Sequence, residues 1–136
     1  VTFSRTYPLR FAHCDPAGIA YYPRYFEICD GAIEDWTEAV IGVPRRVMHL
    51  DMGLALPTVT LDAEFTAVSR LGDPLDIAIE VTSVGNSSVG LRAEVSSNGE
   101  QRFAVRYKQV LMTMVTGEAM PWPDEWRARL AGEISE

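Results

Sequence analysis

The sequence predicts an α+β fold, and three observations carry the prediction. A long segment after Pro23 repeats apolar residues at three- and four-residue steps, as an amphipathic helix does. On either side of it, apolar and polar residues alternate in short runs, as they do along half-buried strands. The order is one strand, one helix and then four strands linked by turns, which segregates helix from sheet. A five-stranded antiparallel sheet wrapping its apolar face around the long central helix satisfies all three, as a single domain over residues 1–136.

The first strand is expected from Thr2 to Ala12, with Phe3, Tyr7, Leu9 and Phe11 on one face and Arg5 interrupting it. Along the helix, Tyr22, Tyr25, Phe26, Cys29, Ala32, Ile33, Trp36 and Val40 form the apolar stripe. Glu27, Asp30, Glu34, Asp35 and Glu38 hold the other side. Gly42 supplies a C-terminal cap, and Pro44 forbids continuation. Gly31 inside the helix costs about 1 kcal/mol against alanine, a cost that close packing on a sheet or a partner helix would explain. From Arg45 to Leu56 the pattern is weak and fits a short helix or a pocket-lining loop equally well.

Four strand-like runs follow. Val59 to Ala67, Leu75 to Val81 and Val89 to Val95 alternate, separated by turns at Leu71-Gly72-Asp73-Pro74 and Gly85-Asn86-Ser87-Ser88. Asn98-Gly99 is a strong two-residue hairpin signal before the last run, Gln101 to Val115. The far end of that run, with Val110, Met112 and Met114, is expected to be buried on both faces. Asp124 to Leu130 reads as a short helix after Pro123.

Hydrophobic content of 47% and charged content of 23% are ordinary for a globular protein. The net charge of −7 argues against nucleic acid as the main partner. Cys14 and Cys29 form no Cys-x-x-Cys pair and suggest no disulfide framework. No apolar run is long enough to span a bilayer and no signal-peptide pattern is present, so no membrane partner and a cytoplasmic location are expected. His13, Asp15, His49 and Asp51 repeat a His-x-Asp pattern, but neither pair has a zinc spacing and no metal is expected.

The chemistry concentrates between Phe11 and Phe26. A carboxylate, Asp15, sits on a tight turn, Asp15-Pro16-Ala17-Gly18, and a helix N-terminus follows at Pro23. Amides at such an end point outward unpaired, with the positive end of the helix dipole behind them. They suit a carbonyl oxygen that becomes negative during reaction, and a nearby carboxylate can attack that carbonyl or activate a water beside it. Taken alone, Asp15 in this setting fits a turn aspartate bonding its own backbone as well as a catalytic one.

Asp-Pro-Ala-Gly-Ile-Ala-Tyr-Tyr-Pro-x-Tyr, at Asp15 to Tyr25, resembles the signature of the hotdog-fold acyl-CoA thioesterases, nearest the hydroxybenzoyl-CoA branch that uses an aspartate. The resemblance implies hydrolysis of an acyl-CoA thioester, with a small aromatic or short-to-medium acyl group, to free acid and CoA. Asp15 is then nucleophile or general base, and the Tyr22 amide is the oxyanion donor. Gly18 shapes the turn and lets the acyl group pass close to the backbone, while His13, a departure from the relatives, orients Asp15, raises its negative character or caps the strand end. Tyr21, Tyr25, Pro16 and Val59 are the expected substrate-binding positions. The turn from Val84 to Ser88 carries no charge, leaving Arg70, Arg106 and Lys108, together with Arg102, as cations for the coenzyme's phosphates. No cofactor is expected beyond the coenzyme A of the substrate, and the resemblance implies a homodimer or homotetramer. Two other functions remain open: an acyl-thioester hydratase or dehydratase using His13 and Asp15, and a non-catalytic hotdog module binding an acyl carrier or a protein.

Overall fold

The computed structural model describes residues 3–134. In chain order the elements are β1 (Phe3–Pro8), α1 (Tyr22–Ile41), β2 (Leu54–Ala55), β3 (Thr58–Phe65), β4 (Pro74–Val84), β5 (Ser88–Ser97), β6 (Glu100–Val110), β7 (Met112–Thr113) and α2 (Asp124–Gly132). Five strands form one antiparallel sheet in the order β1-β4-β5-β6-β3, and β2 pairs with β7 in a small second sheet. The α+β expectation holds.

The helix forms where its stripe predicts and ends where Gly42 adopts a left-handed φ of 84°. Arg129 of α2 donates to the Ile41 carbonyl there, so the second helix satisfies an orphan acceptor of the first. Tyr25, Cys29, Ala32, Ile33 and Trp36 are buried against the sheet, joined by Ile28, Thr37 and Ile41. Burying each large apolar side chain contributes about 1.5–3 kcal/mol. Thr37 is tolerated in this apolar setting because its hydroxyl donates to the Ile33 carbonyl one turn back at 2.7 Å. The facing strands contribute Leu75, Ile77, Ile79 and Val81 from β4 and Val89, Leu91, Ala93 and Val95 from β5, the alternation their sequences require. At the hairpin between β5 and β6, Asn98 and Gly99 both take positive φ, 52° and 80°, as a two-residue turn of this twist needs.

Several expectations are corrected. The first strand's predicted start, Thr2, lies outside the described residues, and the strand ends at Pro8 rather than Ala12. Phe11 then falls in a tight helical turn, Phe11–His13, and is 80% exposed. Tyr22 begins α1 beyond the sheet's cover, and its ring is exposed rather than part of the stripe. Gly31 is exposed, with open space where a Cβ would stand, so packing within this chain does not explain it. The last strand is not continuous to Val115, because Leu111 bonds to Ser87 and the chain turns into β7. Met114 and Val115 are consequently exposed rather than buried on both sides. The weak stretch after Arg45 is a wide helical turn, Val47–Asp51, followed by β2. β3 is an edge strand, and Val59, Leu61 and Phe65 are each about half exposed.

Candidate active site

Asp15 sits at the tip of a tight excursion whose two sides meet at the Cys14–Ala20 bridge. The Asp15 amide donates to the Ile19 carbonyl at 2.9 Å, and the Tyr21 amide to the His13 carbonyl at 2.9 Å. Gly18 donates to the Asp15 carbonyl at 3.0 Å with a φ of +76°, a conformation that a side chain would strain. The half-buried Asp15 carboxylate accepts the Ala17 amide at 2.9 Å on Oδ1, and more loosely the Ile19 amide at 3.5 Å on the same oxygen. One carboxylate oxygen is therefore engaged by the turn, and Oδ2 takes no hydrogen bond among the described residues. Pro16 is exposed on the turn itself.

The returning side of this excursion leads directly into α1. Tyr21 is the residue flanking the helix, Tyr22 is its first residue, and Pro23 has no N–H to give. Arg24 donates to the Tyr21 carbonyl at 2.8 Å. The Tyr22 amide, which has no intrahelical acceptor by position, takes no backbone partner among the described residues and points from the positive end of the helix. Carboxylate and helix end are joined by only a short connection, so one backbone feature carries both.

An apolar cavity of about 370 Å³ opens at this helix end, lined by Ala20, Tyr22, Tyr25, Phe65 and the segment from Thr66 to Ser69. Its walls belong to an aromatic cluster. Tyr25 stacks on Phe103 with centroids 4.8 Å apart, and Phe65 contacts Tyr22, Tyr25, Phe26 and Phe103. A second cavity, about 450 Å³, lies farther along α1 between Phe26, Asp30, Arg45, Leu56, Thr58 and Leu61. It is more polar, with Arg45 half-buried and bonded to Thr37 at 3.3 Å. Asp15 lines neither cavity.

The other candidates divide. Tyr21, half exposed, meets Tyr22 edge-on at 5.7 Å, and Tyr25 is buried with its hydroxyl on Ser69 Oγ at 2.6 Å. Arg70 is exposed and pairs through its backbone with Ile19, beside the Asp15 turn. Arg106 and Lys108 alternate with the buried Tyr107 and lie on the sheet face turned away from α1, apart from the others. Val59 lines neither cavity, because the register shifts between Thr58 and Thr60 and displaces it. His13 Nδ1 accepts the Arg10 amide at 3.0 Å and makes no hydrogen bond to Asp15 among the described residues. Burial, with the Asp15 charge adding to it, pushes the Cys14 thiol up, which keeps it protonated. Among the described residues no three His, Cys, Asp or Glu side chains converge as metal ligands would.

Sequence patterning missed the polar groups behind the site. Arg102, named with the cations for the coenzyme's phosphates, is instead buried and donates to Asp73 Oδ2 at 2.7 Å, to the Val68 carbonyl at 3.0 Å and to Ser69 Oγ at 3.2 Å. Its Nε faces Glu100 Oε1 at 2.8 Å as an ion pair without the alignment of a hydrogen bond. The Arg70 amide and the Arg102 guanidinium together hold the Asp73 carboxyl below its ordinary range. Arginine in a strand otherwise alternating correctly gives no sign of this. The turn Leu71-Gly72-Asp73-Pro74 could have signalled only that Asp73 bonds locally.

Residues 9–130 match the thioesterase-like superfamily. This chain belongs to that superfamily. Its α+β sheet and long helix are the superfamily's hotdog fold, and thioester hydrolysis is the reaction class its membership carries. A 1,4-dihydroxy-2-naphthoyl-CoA hydrolase of Prochlorococcus marinus is 26% identical over 117 residues, 79% of this thioesterase-like chain and 74% of the relative. The solved 1,4-dihydroxy-2-naphthoyl-CoA thioesterase of Synechocystis superposes with a TM-score of 0.84 at 21% identity, covering 96% of each chain. A thioesterase-superfamily structure from Jannaschia reaches 0.91 at 23% identity, over 99% of this chain and 94% of its own. Among the described residues of the thioesterase-like chain, no helix is long and apolar enough to cross a membrane.

Proposed function

We propose that this chain hydrolyses the coenzyme A thioester of a hydroxylated aromatic acid, with Asp15 as the reacting carboxylate and the Tyr22 amide as the oxyanion donor. One observation carries the reading: a carboxylate fixed by its own turn through Oδ1, with Oδ2 left free, stands on the same short excursion that delivers an unpaired helix-end amide. The relatives named as dihydroxynaphthoyl-CoA hydrolases support an aromatic acyl group.

In this reading the thioester carbonyl oxygen accepts the Tyr22 N–H, and charge developing on it is stabilised by that amide and the helix dipole. Asp15 Oδ2 attacks the carbonyl carbon, the C–S bond breaks, and coenzyme A leaves as its thiolate. Water then cleaves the mixed anhydride, returning the aspartate and releasing the acid. A general-base role, with Oδ2 drawing a proton from the attacking water, uses the same geometry. Nucleophilic attack is preferred because a conjugated aromatic carbonyl is a poor target for water alone.

The substrate has two arms; one cavity is lined by Tyr22 itself, and the other begins at Phe26, one turn farther along α1. The channel from Ala20 to Ser69 suits the pantetheine arm, with the exposed guanidinium of Arg70, the next residue in the chain, available to a phosphate. The cavity past Phe26 suits the ring, since Phe26, Leu56 and Leu61 supply apolar walls and Asp30, Arg45 and Thr58 supply groups for ring hydroxyls. The half-exposed apolar residues of edge strand β3 support a homodimer in which a second copy covers this side and closes the site.

The test is a thiol-release assay with hydroxylated and unsubstituted aromatic CoA esters. Asp15→Asn is expected to lower kcat by at least about 10³-fold while the protein stays folded. Rapid quenching of the wild-type reaction should yield a peptide acylated at Asp15. Unchanged turnover in Asp15→Asn would remove the carboxylate from the reaction, and an active enzyme with no acylated peptide would favour the general-base form.

A further inference from the structure

The excursion that carries Asp15 has no core of its own, so its position depends on what holds it from outside. Cys14 and Ala20 pack against the main core, and the backbone is held by the segment from Thr66 to Asp73. The Ala20 amide donates to the Ser69 carbonyl at 2.9 Å, the Leu71 amide to the Gly18 carbonyl at 2.8 Å, and the Gly72 amide to the Leu9 carbonyl at 2.9 Å. The first turn of α1 is tied to the same segment through the Tyr25 hydroxyl on Ser69 Oγ at 2.6 Å. Carboxylate and oxyanion donor therefore share one anchor.

The anchor is organised by one side chain. Val95 pairs with Phe103 but Ser96 pairs with Gln101, which leaves Arg102 as the extra residue of a bulge on β6. The bulge turns Arg102 out of the strand's alternation and into the protein, where it is 8% exposed. Its carbonyl accepts the Thr66 amide at 3.0 Å and the Ala67 amide at 3.3 Å, and its guanidinium reaches Val68, Ser69 and Asp73. All three of these contacts are made by one guanidinium nitrogen, Nη1, so a single buried group ties a carbonyl, a hydroxyl and a carboxylate together.

We propose that Arg102 is a positioning residue for thioester hydrolysis: by holding the Thr66–Asp73 segment it sets the placement of Asp15 relative to the Tyr22 amide. The inference rests on those two groups acting as proposed. Arg102 touches no substrate, but the Thr66 to Ser69 segment it holds also lines the channel given to the pantetheine arm, so its removal misplaces attack first and loosens that channel second. Misplacement by about 1 Å costs on the order of 10²-fold in rate.

The experiment measures kcat and KM for thiol release in Arg102→Gln, Asp15→Asn and the double variant D15N/R102Q, each checked for folding by urea titration. Arg102→Gln is expected to lose about 10-fold to 100-fold in kcat, a fall larger than any accompanying rise in KM. Millimolar guanidinium, well below denaturing concentrations, should restore part of that loss. The double variant should be no slower than Asp15→Asn alone, because positioning has no value once the carboxylate is gone. Glu100→Gln, which removes only the exposed partner, should match wild type. Folded Arg102→Gln with unaltered kcat, or an equal further loss on the Asp15→Asn background, would overturn the proposal. If Arg102→Gln does not fold, Asp73→Asn, at the guanidinium's carboxylate partner outside both cavities, gives the same decision in the same cycle. Full activity of Asp15→Asn would instead sink the underlying mechanism, a distinct outcome.

Discussion

Asp73 Oδ2 accepts two donors at once, the Arg102 guanidinium at 2.7 Å and the Arg70 amide at 2.9 Å. Both favour the charged carboxylate, so the Asp73 pKa is lower folded than unfolded. A depressed folded pKa gives stability that is fully present above the ordinary carboxylate value and is lost as pH falls through the folded one. Below about pH 4, wild type should therefore lose urea resistance more steeply than Asp73→Asn, which has no such proton to take up. Parallel loss in both proteins would show that this pair does not contribute to acid sensitivity.

Gly31 stands mid-helix, exposed, with nothing within 4 Å of where a Cβ would be. Gly31→Ala should raise stability by about 0.5–1 kcal/mol through helix propensity and a less flexible unfolded chain. Thermal unfolding at fixed protein concentration measures it. A fall in stability would mean that another surface approaches α1 there.

Asp30 lies two turns along α1 from Tyr22 and lines the more polar cavity. Asp30→Ala should lower kcat/KM for hydroxylated aromatic CoA esters by about 10-fold while changing unsubstituted benzoyl-CoA by much less. Equal effects on both substrates would place the ring elsewhere.

Val59 is 53% exposed on edge strand β3 and lines neither cavity, so it reports on association without touching the substrate's path. Val59→Asp should leave the folded chain within about 0.5 kcal/mol of wild type. If two copies meet along β3, the same change should halve the mass measured by sedimentation and lower activity with it. A wild-type protein that sediments as a monomer at assay concentration would end the dimer reading.

Local sequence determined the elements that local physics governs. Alternation in β4 and β5, the helical stripe from Tyr25 to Trp36, the Gly42 cap and the Asn98-Gly99 turn each follow from periodicity or from one residue's backbone freedom, and each formed where expected. The turn at Asp15 and the helix start at Tyr22 were legible for the same reason. Tertiary structure alone decided what depends on partners distant in the chain. Arg102 is buried because a bulge re-aims it toward Ser69 and Asp73, residues about thirty positions away. Phe11, Val59 and Met114 are exposed because strand ends and sheet edges, not side-chain pattern, set where cover stops. Periodicity reports which face of an element is apolar; only the assembled sheet determines whether anything lies against that face.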